Sequence, residues 1–249
     1  MKQVHLTLTE QTPLTQDVFR LVLQGDISSL TRPGQFVNLA IPGFYLRRPI
    51  SVCDYELTNP DGTGTLTLIY RAVGNGTRAL SRMKPGQILD VLCGLGNGFD
   101  LSRAGAEPLL VGGGLGIPPL YKLARELKAS GIVPQVVLGF NTKNEIFLYD
   151  EFRALDCPLF LMTADGSAGN KGFVTDVMVK LSYTYFYSCG PAPMYRAIEK
   201  IATAPGEYSF EERMGCGFGA CMGCTIQTAN GPARVCREGP VFRREVIQW

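Results

Sequence analysis

Near its end the chain places four cysteines in one short stretch, Glu211 to Cys236, reading EERMGCGFGACMGCTIQTANGPARVC. Cys216, Cys221, Cys224 and Cys236 give the spacing C-x4-C-x2-C-x11-C. This is the opening of the plant-type [2Fe–2S] ligand pattern, with a shorter run to the last ligand. Each iron of such a cluster takes two bridging sulfides and two protein thiolates, so four cysteines complete it. Three ligands within nine residues force one tight loop, and the fourth arrives from the next strand. Gly215, Gly217, Gly219 and Gly223 can take positive φ and turn backbone N–H groups toward the sulfurs. Two other uses compete. A pair of disulfides would suit an oxidising compartment, and a four-cysteine zinc site would suit the cytosol. Zinc sites usually show two C-x2-C pairs, and only one is present here.

The rest of the chain bears on that choice. The N-terminus, MKQVHLTLTEQ, lacks the apolar stretch of a signal peptide, and no apolar run approaches a membrane span. Eight cysteines without an export signal read as reduced thiols and metal ligands, which predicts a cytoplasmic protein with no membrane association. A net charge of +2 gives no footprint for nucleic acid. The single histidine, His5, lies on an alternating segment and reads as a strand residue rather than as an acid–base catalyst. No side chain is assigned as catalytic, and the chemistry falls to bound groups. At 249 residues there is room for two compact domains and a small appendage.

Residues 1–100 read as an antiparallel β-barrel. Short strand-like runs recur at Val4–Thr9, Val18–Leu23, Gln35–Ile41, Ile50–Leu57, Thr65–Val73 and Gln87–Cys93, separated by Gly, Pro and Asn turns. Within them, Pro49 holds Arg48 extended, so that its guanidinium can project from a strand start toward a phosphate. Ser51, on the same side as Pro49, can offer a hydroxyl to a heteroaromatic ring. A solvated strand end is the plain alternative. In Ile69-Tyr70-Arg71 through Gly76-Thr77 a strand gives way to a glycine turn. Thr77 is expected to cap a helix over Arg78–Met83, with Arg71 as a counter-charge for pyrophosphate and Tyr70 flanking an aromatic ring. An ordinary hairpin and capped turn is again the alternative.

Residues 101–206 change pattern. A buried strand at Pro108–Val111 runs into Gly112-Gly113-Gly114-Leu115-Gly116-Ile117-Pro118-Pro119, and Tyr121–Ala129 has helical spacing. Proline is tolerated at a first helical position, and the glycines allow close approach of a pyrophosphate. Further strands are expected at Gln135–Phe140, Leu159–Thr163 and Thr184–Ser188, with helices at Leu148–Leu155, Val174–Lys180 and Pro191–Ile201. The alternation predicts a parallel sheet and a nucleotide site. The dinucleotide fingerprint is altered: Pro119 stands in place of its third glycine, and Phe140-Asn141 brings no ribose-binding acid.

Arg48-Pro49-Ile50-Ser51, Gly114-Leu115-Gly116-Ile117-Pro118-Pro119 and Cys189-Gly190-Pro191 together resemble the motifs of the ferredoxin–NADP reductase superfamily. With LIYRAVGNGT, LGNGF, SCGPAPM, the cysteine loop and VCREGPVF, the chain closely resembles the electron transfer subunits of NAD-linked (class B) dihydroorotate dehydrogenases. The resemblance implies an α+β multi-domain fold: a flavin-binding antiparallel β-barrel (1–100), a parallel-sheet α/β nucleotide domain (101–206) and a small C-terminal [2Fe–2S] domain (207–249). It implies FAD held by Arg48, Pro49, Ile50, Ser51, Ile69, Tyr70, Arg71, Gly76 and Thr77. NAD would lie at Gly114, Gly116, Cys189, Gly190 and Pro191, and the cluster on Cys216, Cys221, Cys224 and Cys236. The implied partner is an FMN-containing catalytic subunit in a hetero-oligomer with two of each chain. Electrons would then run from dihydroorotate through FMN, cluster and FAD to NAD+. A reductase subunit for a hydrogenase, glutamate synthase or ferredoxin would share these motifs. A flavin belongs between the other two carriers because NAD exchanges a hydride and the cluster single electrons.

Overall fold

The computed structural model describes every residue from Met1 to Trp249. By contacts the chain divides into two compact units. The first comprises Met1–Gly98, Glu211–Ile226 and Pro232–Pro240; the second comprises Phe99–Phe210, Gln227–Gly231 and Val241–Trp249. The segment 207–249 is therefore shared out between them, the cysteines with the first and the last residues with the second.

The first unit is built on six strands, β1 (Lys2–Pro13), β2 (Val18–Asp26), β3 (Phe36–Ala40), β4 (Arg48–Leu57), β5 (Thr63–Arg71) and β6 (Ile88–Leu95). They close into a barrel in the order β1-β2-β5-β4-β3-β6, every pair antiparallel. Alternation decides which side chains fill it. On β1, Val4, Leu6 and Leu8 are buried while His5 between them is exposed, as expected of a strand residue. They pack with Leu21, Leu23, Leu66, Leu68, Leu89 and Val91. β1 is longer than its apolar run because its two ends pair with different strands, Lys2–Thr7 with β6 and Thr7–Pro13 with β2.

The turn after β5 departs from expectation. The helix α1 spans Asn75–Leu80, not Arg78–Met83, and its N-cap is the extended Gly74 rather than Thr77. Thr77 sits one turn inside, where its Oγ1 accepts the Gly74 N–H at 3.1 Å. The hydroxyl thus closes the reciprocal half of a capping box from the third helical position.

The second unit holds β7 (Pro108–Gly113), α2 (Pro118–Ala129), β8 (Gln135–Phe140), α3 (Tyr149–Arg153), β9 (Leu159–Thr163), β10 (Asn170–Lys171), α4 (Val174–Met178), β11 (Tyr185–Cys189), α5 (Ala192–Glu199), β12 (Gly206–Ser209) and β15 (Val241–Arg243). Its sheet runs β10-β9-β8-β7-β11-β12-β15, parallel throughout except where β15 pairs antiparallel with β12. β13 (Thr225–Thr228) and β14 (Gly231–Arg234) form a separate two-stranded ribbon. Strands β7, β8, β9 and β11 fall where their apolar runs predict. β10, β12 and β15 carry no such run, and only pairing with a neighbour makes strands of them. No helix is long and apolar enough to cross a membrane.

Glu207 on β12 is the buried acid of this unit, 3% exposed, and one of its carboxylate oxygens accepts the Asp100 N–H at 3.1 Å. Burial pushes its pKa up to about 7. A raised carboxyl pKa means that the folded protein binds more protons than the unfolded chain between the ordinary value of about 4.3 and about 7. Stability should therefore fall as pH rises through that window, by at most about 3.5 kcal/mol. Glu207→Gln keeps an acceptor for Asp100 and removes the titration. Thermal melts at pH 5 and pH 8 should show the wild type losing more stability than the variant, and parallel losses would disprove the assignment.

Candidate functional site

The barrel brings the two predicted flavin motifs together. Arg48 opens β4, opposite Leu39 of β3, and Pro49, Ile50 and Ser51 follow opposite Asn38, Val37 and Phe36. Ile50 turns into the barrel core, whereas Pro49 and Ser51 stay half-buried on the other side. The Arg48 guanidinium lies 5.5 Å from the Phe44 ring centroid and donates from Nη1 to the Leu46 carbonyl at 2.5 Å. It also rests on Gly76: a β-carbon there would fall 2.5 Å from Nε and 2.6 Å from Nη2. Gly76 is glycine because the arginine passes directly over its backbone. Arg48, Gly76 and Thr77 thus form one cradle with a fork donor on its rim.

The neighbouring residues divide their labour in ways their types do not announce. Arg47 is a strut: Nη2 donates to the Asp90 carboxylate at 2.7 Å, and Nη1 donates to the carbonyls of Asp90 and Asn38. Arg71 pairs with Asp17 at 3.2 Å. Tyr70 carries its ring into the fold. That ring is buried against Phe19, centroids 5.9 Å apart, and its hydroxyl donates to Gln11 at 3.4 Å. Ile69 is likewise buried.

The clash that Gly76 avoids involves the mobile end of an arginine, so Gly76→Ala should fold normally and displace the guanidinium. Losing a charge-assisted phosphate contact weakens binding by roughly tenfold to a hundredfold. We expect FAD affinity to fall by that factor in Gly76→Ala and in Arg48→Ala, read by equilibrium dialysis. Wild-type affinity in both would remove Arg48 from the flavin site.

In the second unit, β7 and β11 lie side by side, with Gly112 opposite Cys189. Their C-terminal turns interlock. A β-carbon on Gly116 would fall on the Cys189 carbonyl group and 2.5 Å from the Gly190 nitrogen. One on Gly113 would meet the Met194 sulfur at 2.7 Å and Pro191 at 3.3 Å. The Tyr195 hydroxyl accepts the Gly190 N–H at 2.9 Å and donates to the Ser209 carbonyl, which pins the Cys189-Gly190-Pro191 turn from below. The helix start itself offers little to a phosphate. Pro118 and Pro119 lack N–H groups, and those of Ile117 and Leu120 are spent on Gly114 and Ile117. The open position is Gly114, at φ +51 with nothing near its missing β-carbon. An acid that the sequence did not reveal also reaches the end of β8: the Glu145 carboxylate accepts the Asn141 amide at 3.0 Å.

The cysteines gather in the first unit. Cys224 and Cys236 are buried, Cys216 is half-buried and Cys221 is exposed; none is in a disulfide. Backbone donors point at the sulfurs: Ala220 and Cys221 N–H at Cys216 Sγ (3.2 and 3.4 Å), Cys216 N–H at Cys221 Sγ (3.5 Å), and Cys236 N–H at Cys224 Sγ (3.4 Å). Gly217 and Gly219 supply positive φ, at +78 and +94, but Gly215 and Gly223 do not; Met222 takes the left-handed turn instead, at +61. At Gly215 a β-carbon would lie 3.2 Å from Cys221 Sγ, a tight contact. Arg234 ties the loop together, donating to the Gly219 carbonyl at 2.5 Å and to both oxygens of Glu238.

The electrostatics of these sulfurs fit a metal cluster. Burial opposes the Cys216 thiolate, yet N–H groups of Cys221, Phe218 and Ala220 outweigh it and lower its pKa to about 6. Burial and the neighbouring Cys224 push Cys236 up to about 12. Four thiolates so placed need positive charge among them, and bound iron provides it. Cys216 and Cys221 exchange N–H···Sγ hydrogen bonds, and Cys224 Sγ accepts the Cys236 N–H. Two pairs suit two irons.

Residues 211–248 match the family model for the iron–sulfur cluster binding domain of dihydroorotate dehydrogenase B. The chain is 42% identical to the dihydroorotate dehydrogenase B (NAD(+)) electron transfer subunit of Geobacillus sp. (strain WCH70), covering 98% of this chain and 97% of that one. It is 40% identical to the subunit of the same name from Bacillus pumilus (strain SAFR-032), covering 99% and 98%. Among solved structures, it superposes on one described as an NADH-dependent reduced ferredoxin–NADP oxidoreductase with a TM-score of 0.86, at 31% identity over 98% of this chain and 90% of that one. Phthalate dioxygenase reductase shares the fold, with a TM-score of 0.67 at 18% identity over 85% of this chain and 70% of that one.

Proposed function

The chain belongs to the family of dihydroorotate dehydrogenase B (NAD(+)) electron transfer subunits, and from that premise we propose that it links a dihydroorotate-oxidising, FMN-bearing catalytic subunit to NAD+ in pyrimidine biosynthesis. The observation that carries the reading is identity of 40–42% over 97–99% of the chain to subunits of that name. Bound FAD supplies exchange between hydride and single-electron chemistry, and a [2Fe–2S] cluster supplies single-electron transfer.

The chain's own residues bind and orient. Arg48 offers its guanidinium to the FAD phosphates, with Gly76 and Thr77 beside it, and Pro49, Ile50, Ser51, Ile69, Tyr70 and Arg71 complete the flavin segment. Gly114, Gly116, Cys189, Gly190 and Pro191 form the nicotinamide nucleotide turn. Cys216, Cys221, Cys224 and Cys236 are the cluster ligands. The working segments are 1–100 for flavin, 101–206 for nucleotide and 207–249 for the cluster. Glu145 at the end of β8 favours NAD over NADP, because a carboxylate there accepts a ribose hydroxyl and repels a 2′-phosphate. With all eight cysteines unbridged, we place the protein in the cytoplasm.

The test is anaerobic purification with the catalytic subunit. It should yield FAD, iron and acid-labile sulfide on this chain, a complex of two of each chain by mass, and NADH formation dependent on dihydroorotate. A second reading, a reductase subunit for ferredoxin, a hydrogenase or glutamate synthase, draws on the 31% likeness to the ferredoxin–NADP oxidoreductase structure. Turnover with reduced ferredoxin and none with dihydroorotate would favour it.

A further inference from the structure

We propose that Asn38 is a positioning residue that locks the first cluster ligand, Cys216, to the barrel strand beside the flavin motif. Asn38 lies mid-strand in β3, opposite Pro49 of the Arg48-Pro49-Ile50-Ser51 segment and opposite Leu92 of β6. Its neighbours Val37 and Leu39 fill the barrel, so Asn38 stands on the outward side, yet it is only 1% exposed. What covers it includes the cysteine loop. Nδ2 donates to the Cys216 carbonyl at 3.1 Å. The next residue, Gly217, has φ +78, and a β-carbon there would fall on that same Nδ2.

The other half of the amide explains why this is more than packing. Oδ1 is buried and accepts no hydrogen bond from the chain itself. A buried amide that keeps only one of its hydrogen bonds adds little net stability, so the bond it does make is the one that counts. The bond to Cys216 is thus what the side chain provides here, and it fixes a backbone atom of a cluster ligand. The main chain of Asn38 is fixed in turn by Arg47, whose Nη1 donates to its carbonyl at 3.3 Å. A continuous connection therefore runs from Asp90 through Arg47 and Asn38 to Cys216.

The inference rests on the cysteines being cluster ligands, and iron and sulfide analysis of the wild type tests that reading by itself. Asn38→Leu is then compared with a wild type that contains the cluster. FAD content should be unchanged, and the melting temperature unchanged to within a few degrees (about 2–4 °C). The EPR signal of the dithionite-reduced cluster should shift or broaden. Amide exchange over residues 214–222 should accelerate roughly tenfold, since a misplaced loop gains freedom that the core does not. Gly217→Ala presses on the same contact from the loop side, so its EPR change should not add to that of Asn38→Leu in the double variant. A wild-type EPR signal and exchange pattern in Asn38→Leu would overturn the proposal. So would a variant that melts lower by more than those few degrees or fails to fold, because Asn38 would then be structural.

Discussion

Cys221→Ser is expected to abolish coupled turnover between dihydroorotate and NAD+, lowering it by a hundredfold or more, while reduction of a dye by NADH through the flavin persists. Removing even an outer partner of a metal ligand costs about tenfold to a hundredfold, and Cys221 is proposed as a ligand itself. It is the exposed member of its pair and receives the Cys216 N–H, so serine alters the cluster from the solvent side without touching the buried Cys224 and Cys236. The flavin cradle of Arg48, Gly76 and Thr77 contains no atom of this loop. Coupled and dye-linked rates, measured with iron content on one preparation, give the comparison. Undiminished coupled activity would refute the route through the cluster.

Gly116→Ala should be the most damaging single methyl in the second unit. Its β-carbon would meet the backbone of Cys189 and Gly190, which cannot rotate aside as the Arg48 side chain can at Gly76. Overpacking of this kind costs about 1–3 kcal/mol or more, and the two interlocked turns must separate to relieve it. Separation displaces the nucleotide turn, and a misplacement of about 1 Å can cost roughly a hundredfold in rate. Flavin reduction by NADH, followed by stopped flow, should slow by that order, with FAD and iron content retained. A wild-type rate would show that the Cys189-Gly190-Pro191 turn is not where the nucleotide sits.

The contrast between the two glycines shows how far sequence reading reaches. Glycine-rich motifs point both toward cofactor binding, and in the structure each has another segment lying against it. For Gly76 it is the guanidinium of Arg48, from the other flavin motif; for Gly116 it is the Cys189-Gly190 backbone, from the other nucleotide motif. Adjacent arginines were harder to read. Arg47 and Arg48 are chemically equivalent in sequence, and only the position of Asp90 across the barrel makes one a strut. Tyr70 followed the same rule: its alternation was right for a strand, but Phe19 across β2 draws its ring inward.

By itself the amino-acid sequence determined whatever depends on spacing along the chain. The C-x4-C-x2-C-x11-C run, the barrel strands with period-two alternation and the glycine turns after β7 and β11 all rest on chemistry within a few residues. Only the tertiary structure decided what depends on distant partners. Asn38 meets Cys216 across 178 positions, β15 leaves the cysteine segment to close the sheet beside β12, and Met222 rather than Gly223 makes the left-handed turn. The physical reason is the range of the forces: conformational preference and ligand spacing act locally, whereas burial and hydrogen-bond satisfaction are settled by whichever segment arrives opposite.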